Sequence, residues 1–181
     1  MYIYLLGASL LANFADSLFG PLYAVYVQNI GGGVLDIGNS IAIYSITTGV
    51  LIIVFGKISD FLSKELLIVL GFALGALGTL SYLIIQTPTQ LYLLQIFFAL
   101  STALISAPFQ AIFAQHINAE KSGLMWALQG GGSKILAGIG ILIGTFITYR
   151  YGFTAMFLIV FSLQICATLL LTKVFLNSRG K

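Results

Sequence analysis

Six stretches of this chain run roughly 18 to 25 residues with almost no charge, the length a helix needs to cross a bilayer core of about 30 Å. They cover approximately residues 3–28, 37–56, 65–86, 89–113, 123–148 and 152–175. Backbone groups in lipid have no water to bond, so each stretch must close its own hydrogen bonds as a helix. Only 7% of the residues are charged and 59% are hydrophobic, against about 25% charged in an ordinary soluble domain. Residues 1–181 therefore read as a single all-α bundle of six transmembrane helices.

The basic residues between the runs orient them. Lys57 and Lys64 follow the second run, Lys121 the fourth, and Lys173, Arg179 and Lys181 close the sixth, while Arg150 alone follows the fifth. Lys and Arg gather in cytoplasmic loops, so both termini are expected in the cytoplasm, in a multi-pass protein of the cell membrane. Met1-Tyr2-Ile3-Tyr4 lacks the basic start of a cleaved signal peptide. The net charge of +3 is too scattered for a nucleic-acid surface. Cys166 is the only cysteine, which excludes an intrachain disulfide.

The starts of the runs repeat. Adding 87 to 3, 37 and 65 gives 90, 124 and 152, and the same offset carries Pro21 onto Pro108. Each proline lies deep in an apolar run, where it removes a backbone bond and kinks a helix. Three crossings per unit is an odd number, so the second unit must enter from the opposite side. Units of about 3–86 and 89–175 make an inverted 3+3 repeat with broken first helices, a transporter pattern.

The stretch Phe55-Gly56-Lys57-Ile58-Ser59-Asp60-Phe61-Leu62-Ser63-Lys64-Glu65 holds four of the chain's thirteen charged side chains, between the second and third runs. With the repeat, it resembles the N-terminal six-helix half of a major facilitator superfamily transporter. In that family the loop carries a Gly-x-x-x-Asp-Arg-x-Gly-Arg-Lys type motif, and Gly56, Asp60 and Lys64 stand at three of its positions. Phe61, Ser63 and Glu65 depart from it. The resemblance implies that the glycine permits close helix contact and that Asp60 and Lys64 help latch the cytoplasmic side. The plain alternative is a positive-inside loop in which the Asp caps a helix. Gln95 stands where proton-driven drug exporters often place an Arg, and Gly140-Ile141 replaces their Gly-Pro pair, so drug–proton antiport is not implied.

Candidates for a solute or ion cavity follow from polar residues inside the runs. Helix one carries Ser9, Asn13, Asp16, Ser17 and Gly20 on one stripe. Asp16 lies about 13 residues in, roughly 20 Å at the helical rise, where an ionised group costs on the order of 3 kcal/mol or more. Gln129, Ser133 and Lys134 lie in helix five, with Lys134 about 17 Å from its cytoplasmic end. Asp16 and Lys134 form either a structural ion pair or a cavity pair, with Asp16 taking a proton or cation and Lys134 an anionic group. Helix four offers Gln95, Thr102, Ser106 and Gln110 for the cavity or for bonds between helices. Tyr44 and Thr48 complete the lining. Gly71-x-x-x-Gly75 is a close-contact pattern on helix three.

Gly130-Gly131-Gly132-Ser133-Lys134 has phosphate-loop residues in the wrong order and inside a span. His116, the only histidine, sits at a helix end, so neither a metal site nor an intramembrane serine–histidine pair is expected. No enzyme and no cofactor are expected. The expected function is half of a secondary active transporter, moving a small solute across the membrane by alternating access. The partners expected are membrane lipid, the solute with a coupling proton or cation, and a second copy or a separate second half. The alternative is a truncated or non-transporting membrane protein.

Overall fold

The computed structural model describes residues 2–117 and 119–179, all helix, turn and loop. Lys181, counted above among the basic residues, lies outside them. The helices are α1 (Tyr2–Ser17), α2 (Tyr23–Asn29), α3 (Val34–Ile58), α4 (Lys64–Ser81), α5 (Pro88–Gln115) and α6 (Ser122–Arg179), with short 3-10 turns at Gly20–Leu22 and Ala119–Lys121. Five helical segments among the described residues are long and apolar enough to cross a membrane, the first being α1 and α2 taken together. The last of the five runs 55 residues, about 80 Å at the helical rise and more than twice a bilayer core.

Two breaks have local causes. After Ser17 the backbone tightens, with Leu18 N–H on the Ala15 carbonyl at 3.3 Å and Phe19 N–H on the Asp16 carbonyl at 3.4 Å. Pro21 then has no N–H to continue the ladder. Pro108, 87 residues further on, stays inside α5 without interrupting it. In α6 the break is a single residue, Gly152, at φ 81° and ψ 174°. That region is essentially open to glycine alone. We call the parts before and after it the first and second limbs of α6.

The chain forms two compact units. One contains residues 1–20 and 110–181. Here α1 packs on α6, through glycines that let the backbones close up. Gly132 faces Leu10, Gly140 faces Ser17 and Phe14, and Gly144 faces the backbone of Leu18. Residue numbers rise together along this contact, so α1 and the first limb run parallel. Against the second limb they run in opposite senses: Asp16 meets Gln164, whereas Phe19 meets Phe157 and Phe153. The two limbs thus pass α1 in opposite directions.

The other unit contains residues 21–109. Here α5 lies antiparallel to α4, with Gly71 against Ile105 and the Ser101 carbonyl, Gly75 against Ser101 and Gly78 against Phe98. Ser101 Oγ also donates to the Gly71 carbonyl at 2.7 Å. Against α3 it lies parallel, with Tyr92 on Asp36, Tyr44 on Thr102 and Gly56 on Ala107. Gly31, at φ 82°, makes the turn into α3. Gly33 N–H then donates to Asp36 Oδ2 at 2.8 Å, tying the first turn.

Candidate functional site

In the first unit, α1 carries Asn13 and Asp16 on an open face. Asn13 Nδ2 donates to the Ser9 carbonyl at 2.8 Å, and Ser17 Oγ donates to the Phe14 carbonyl at 2.7 Å. Such back-bonds satisfy a polar side chain within its own helix, so these groups are not pinned to a neighbour. Ser133 on α6 behaves likewise, donating to the Gln129 carbonyl at 2.7 Å. Gln110 and Lys134 are exposed.

Asp16 is held differently. Its Oδ1 accepts from Nε2 of Gln164 at 2.9 Å, across to the second limb of α6. Gln164 is 7% exposed. Among the described residues no ion pair joins Asp16 to Lys134. The register explains this. Leu10 meets Gly132 and Ser17 meets Gly140, so Lys134 stands about one turn or more nearer the start of α1 than Asp16, roughly 6 Å along the axis. On the other side of Asp16, Phe19 packs edge-on against Phe157 at 5.0 Å and against Phe153 at 6.4 Å. That cluster closes the end of α1 with apolar rings.

In the second unit the sequence-derived candidates are engaged in packing. Gln95 is 6% exposed. It donates to the Tyr23 hydroxyl at 2.9 Å and reaches the Tyr82 hydroxyl at 3.5 Å. Tyr23 in turn donates to Ser40 Oγ at 2.6 Å, and Tyr26 to the Tyr82 carbonyl at 2.6 Å. This network joins α2, α3, the end of α4 and α5, and it occupies the amide nitrogen of Gln95. Tyr44 bonds Thr102 at 3.0 Å across α3 and α5, and Ser106 back-bonds to the Thr102 carbonyl at 2.9 Å. Thr48 Oγ1 is buried with no hydrogen-bond partner among the described residues. A cleft of about 370 Å³ opens beside α3, lined by Asn39, Ala42, Ile43, Ile46, Thr47 and Tyr92.

The loop residues divide in role. Gly56 lets α3 approach α5, with Ala107 at 3.7 Å from a Cβ placed there. Ser63, not Asp60, caps α4, accepting from Leu66 N–H at 3.3 Å while donating to Glu65 at 2.9 Å. Asp60 is exposed in the turn before it, next to Phe61 at 84% exposure. Among the described residues Asp60 and Lys64 do not pair with each other.

Gln164, Tyr23, Ser40 and Tyr82 were not singled out from the sequence. Gln164 had a signal, being a lone amide within the apolar run 157–171. A polar side chain there is expensive unless another helix bonds it.

The sequence profile of the Major Facilitator Superfamily matches residues 5–181. The chain is 22% identical over 155 residues to "Multidrug resistance protein MdtG" of Klebsiella pneumoniae (strain 342), covering 83% of this chain and 38% of that protein. It is 23% identical over 155 residues to the protein of the same name from Enterobacter lignolyticus (strain SCF1), covering 83% and 37%. The chain thus spans well under half the length of these curated relatives.

Proposed function

The chain belongs to the major facilitator superfamily, and on that premise we propose that it forms one six-helix wall of a secondary transporter that moves a small solute by alternating access. The observation that carries this is the open placement of Asn13, Asp16, Gln110 and Lys134 inside apolar helices. Charged and polar groups at membrane depth face a bundle interior or a water-filled cavity. Among the described residues Asn13, Gln110 and Lys134 make no bond across the contact between α1 and α6, and Asp16, bonded to Gln164 on one side, is open on the other. The water they need therefore lies beyond that contact. A second bundle supplies that space, either another copy of this chain or a separate second half.

Six crossings, with both termini cytoplasmic, accord with the opposite senses of the two limbs of α6 and with the distribution of Lys and Arg. An inverted repeat is supported by the exchange of partners between the units. α1 lies parallel to the first limb of α6 and antiparallel to the second, just as α5 lies parallel to α3 and antiparallel to α4. The offset of 87 residues carries one set onto the other. Gly56, Asp60 and Lys64 are the cytoplasmic latch in this reading. The names of the two relatives make small organic compounds the first solutes to try.

The test is purified chain in liposomes, alone and with a supplied second half, with accumulation of small organic dyes followed under an imposed proton gradient. Movement that is lost in Asp16→Asn and Lys134→Ala variants of normal folded yield supports the reading. Dye movement equal to that of empty liposomes under both conditions refutes it.

A further inference from the structure

Asp16 stands in the last turn of α1, which holds no basic side chain. The aligned backbone dipoles place partial negative charge at that end of a helix. Pro21 lacks an N–H, so the Ser17 carbonyl beside Asp16 is denied the partner an unbroken helix would give it.

Gln164 offsets this from across the contact. Its Nε2 reaches Asp16 Oδ1 at 2.9 Å, and the residue is 7% exposed. Other charges are remote along the helices packed on α1. Lys134 on the first limb lies about one turn or more away, and Lys173 on the second limb is nine residues beyond Gln164, roughly 13 Å. Asp16 itself is exposed on its open side, the side on which the transporter reading places a water-filled cavity that would deliver a proton.

On the transporter reading above, we infer that Gln164 is the positioning residue for Asp16, and that protonation of Asp16 slackens the tie between α1 and the second limb of α6. The step adds one proton from the aqueous phase to the carboxylate, giving the carboxylic acid. No covalent bond breaks. The bond to Gln164 changes from charge-assisted to neutral, and charge-assisted bonds are about twice as strong. The second limb thereby takes part in ion handling instead of serving only as a support.

The experiment uses the full chain in lipid discs with Cys166→Ser and spin labels at Tyr4→Cys and Leu169→Cys, both exposed positions. Passing from mildly alkaline to mildly acid buffer should broaden the label-to-label distance distribution. Asp16→Asn and Gln164→Met should each abolish that response. The exchange of the two, Asp16→Gln with Gln164→Asp, should restore it, because the amide and the carboxyl are again paired. A parent chain indifferent to pH, a Gln164→Met chain that keeps the parent response, or a folded exchange variant without one overturns the proposal. The readout is a distance and not solute movement, so a pH response in a chain inert in liposomes refutes transport while leaving this tie standing.

Discussion

Gly144 of α6 lies directly on the backbone of Leu18, just past the end of α1, so that a Cβ added there would collide with the Leu18 carbonyl. Backbone cannot swing aside as a flexible side chain can. Gly144→Ala should therefore destabilise the fold by about 1 to 3 kcal/mol, the usual range for overpacking. Gly140→Ala should cost less, because the Ser17 hydroxyl it meets can rotate, although the Phe14 carbonyl cannot. Gly138→Ala, with nothing within 4 Å, is the control and should leave thermal unfolding in detergent unchanged or slightly raised. Equal losses at positions 138 and 144 would show that the close approach is not what matters.

In the tyrosine network of the second unit Gln95 bonds between helices, one of the two roles its sequence position left open. Gln95→Leu removes the bond from the buried amide to the Tyr23 hydroxyl, which keeps its bond to Ser40, and should cost about 0.5 to 1.5 kcal/mol. Tyr44→Phe breaks a single half-buried bond to Thr102 and should cost about 0.5 to 1.5 kcal/mol. Melting curves of the two variants give the comparison. A Gln95→Leu chain as stable as the parent would return Gln95 to the cavity.

The sequence carried the helices because hydrophobic length is a local property. Pro21 announced its own break, and spans 37–56 and 89–113 fall within α3 and α5. The site was less legible because its partners are distant in sequence. Counting depth along each helix put Asp16 and Lys134 nearly level, whereas the glycine contacts set a register that separates them. Gln164 is 148 residues from Asp16, and no local pattern links them. Gln95 looked available because an amide in an apolar run is conspicuous, yet whether it faces a cavity or a tyrosine depends on packing. The runs 123–148 and 152–175 leave residues 149–151 between them, and the structure needs only Gly152 to turn the helix.

The proposed orientation places residue 60 and residue 150 on opposite sides of the membrane. Single cysteines at Asp60 and Arg150, in a Cys166→Ser background, should react with an impermeant maleimide from opposite faces of sealed vesicles. Asp36, before the bulk of α3, should follow Arg150. Labelling of positions 60 and 150 from the same face would leave α6 as one crossing and end the six-helix reading.

Exposed apolar side chains need no explanation in a membrane, because lipid satisfies Leu77, Ile135 and Leu169 as well as a protein partner would. Exposed polar ones do. Asn13, Gln110 and Lys134 are open in the first unit, and lipid would charge about 2.5 to 3.5 kcal/mol for the lysine alone at the centre of a helix. If a water-filled cavity lies against these residues, cysteines replacing them should react with a water-soluble thiol reagent many times faster than cysteines at positions 77 and 169. Ile135 is the sharpest control, since it neighbours Lys134 on α6 and is 68% exposed. Residues adjacent on a helix point about 100° apart, so a cavity should separate positions 134 and 135, while a loosely folded chain should expose them alike. A small organic solute that occupies the cavity should slow the reaction at positions 13 and 134 and leave position 169 untouched. Equal reactivity at all these positions, with and without solute, would remove the cavity and with it the transporter reading.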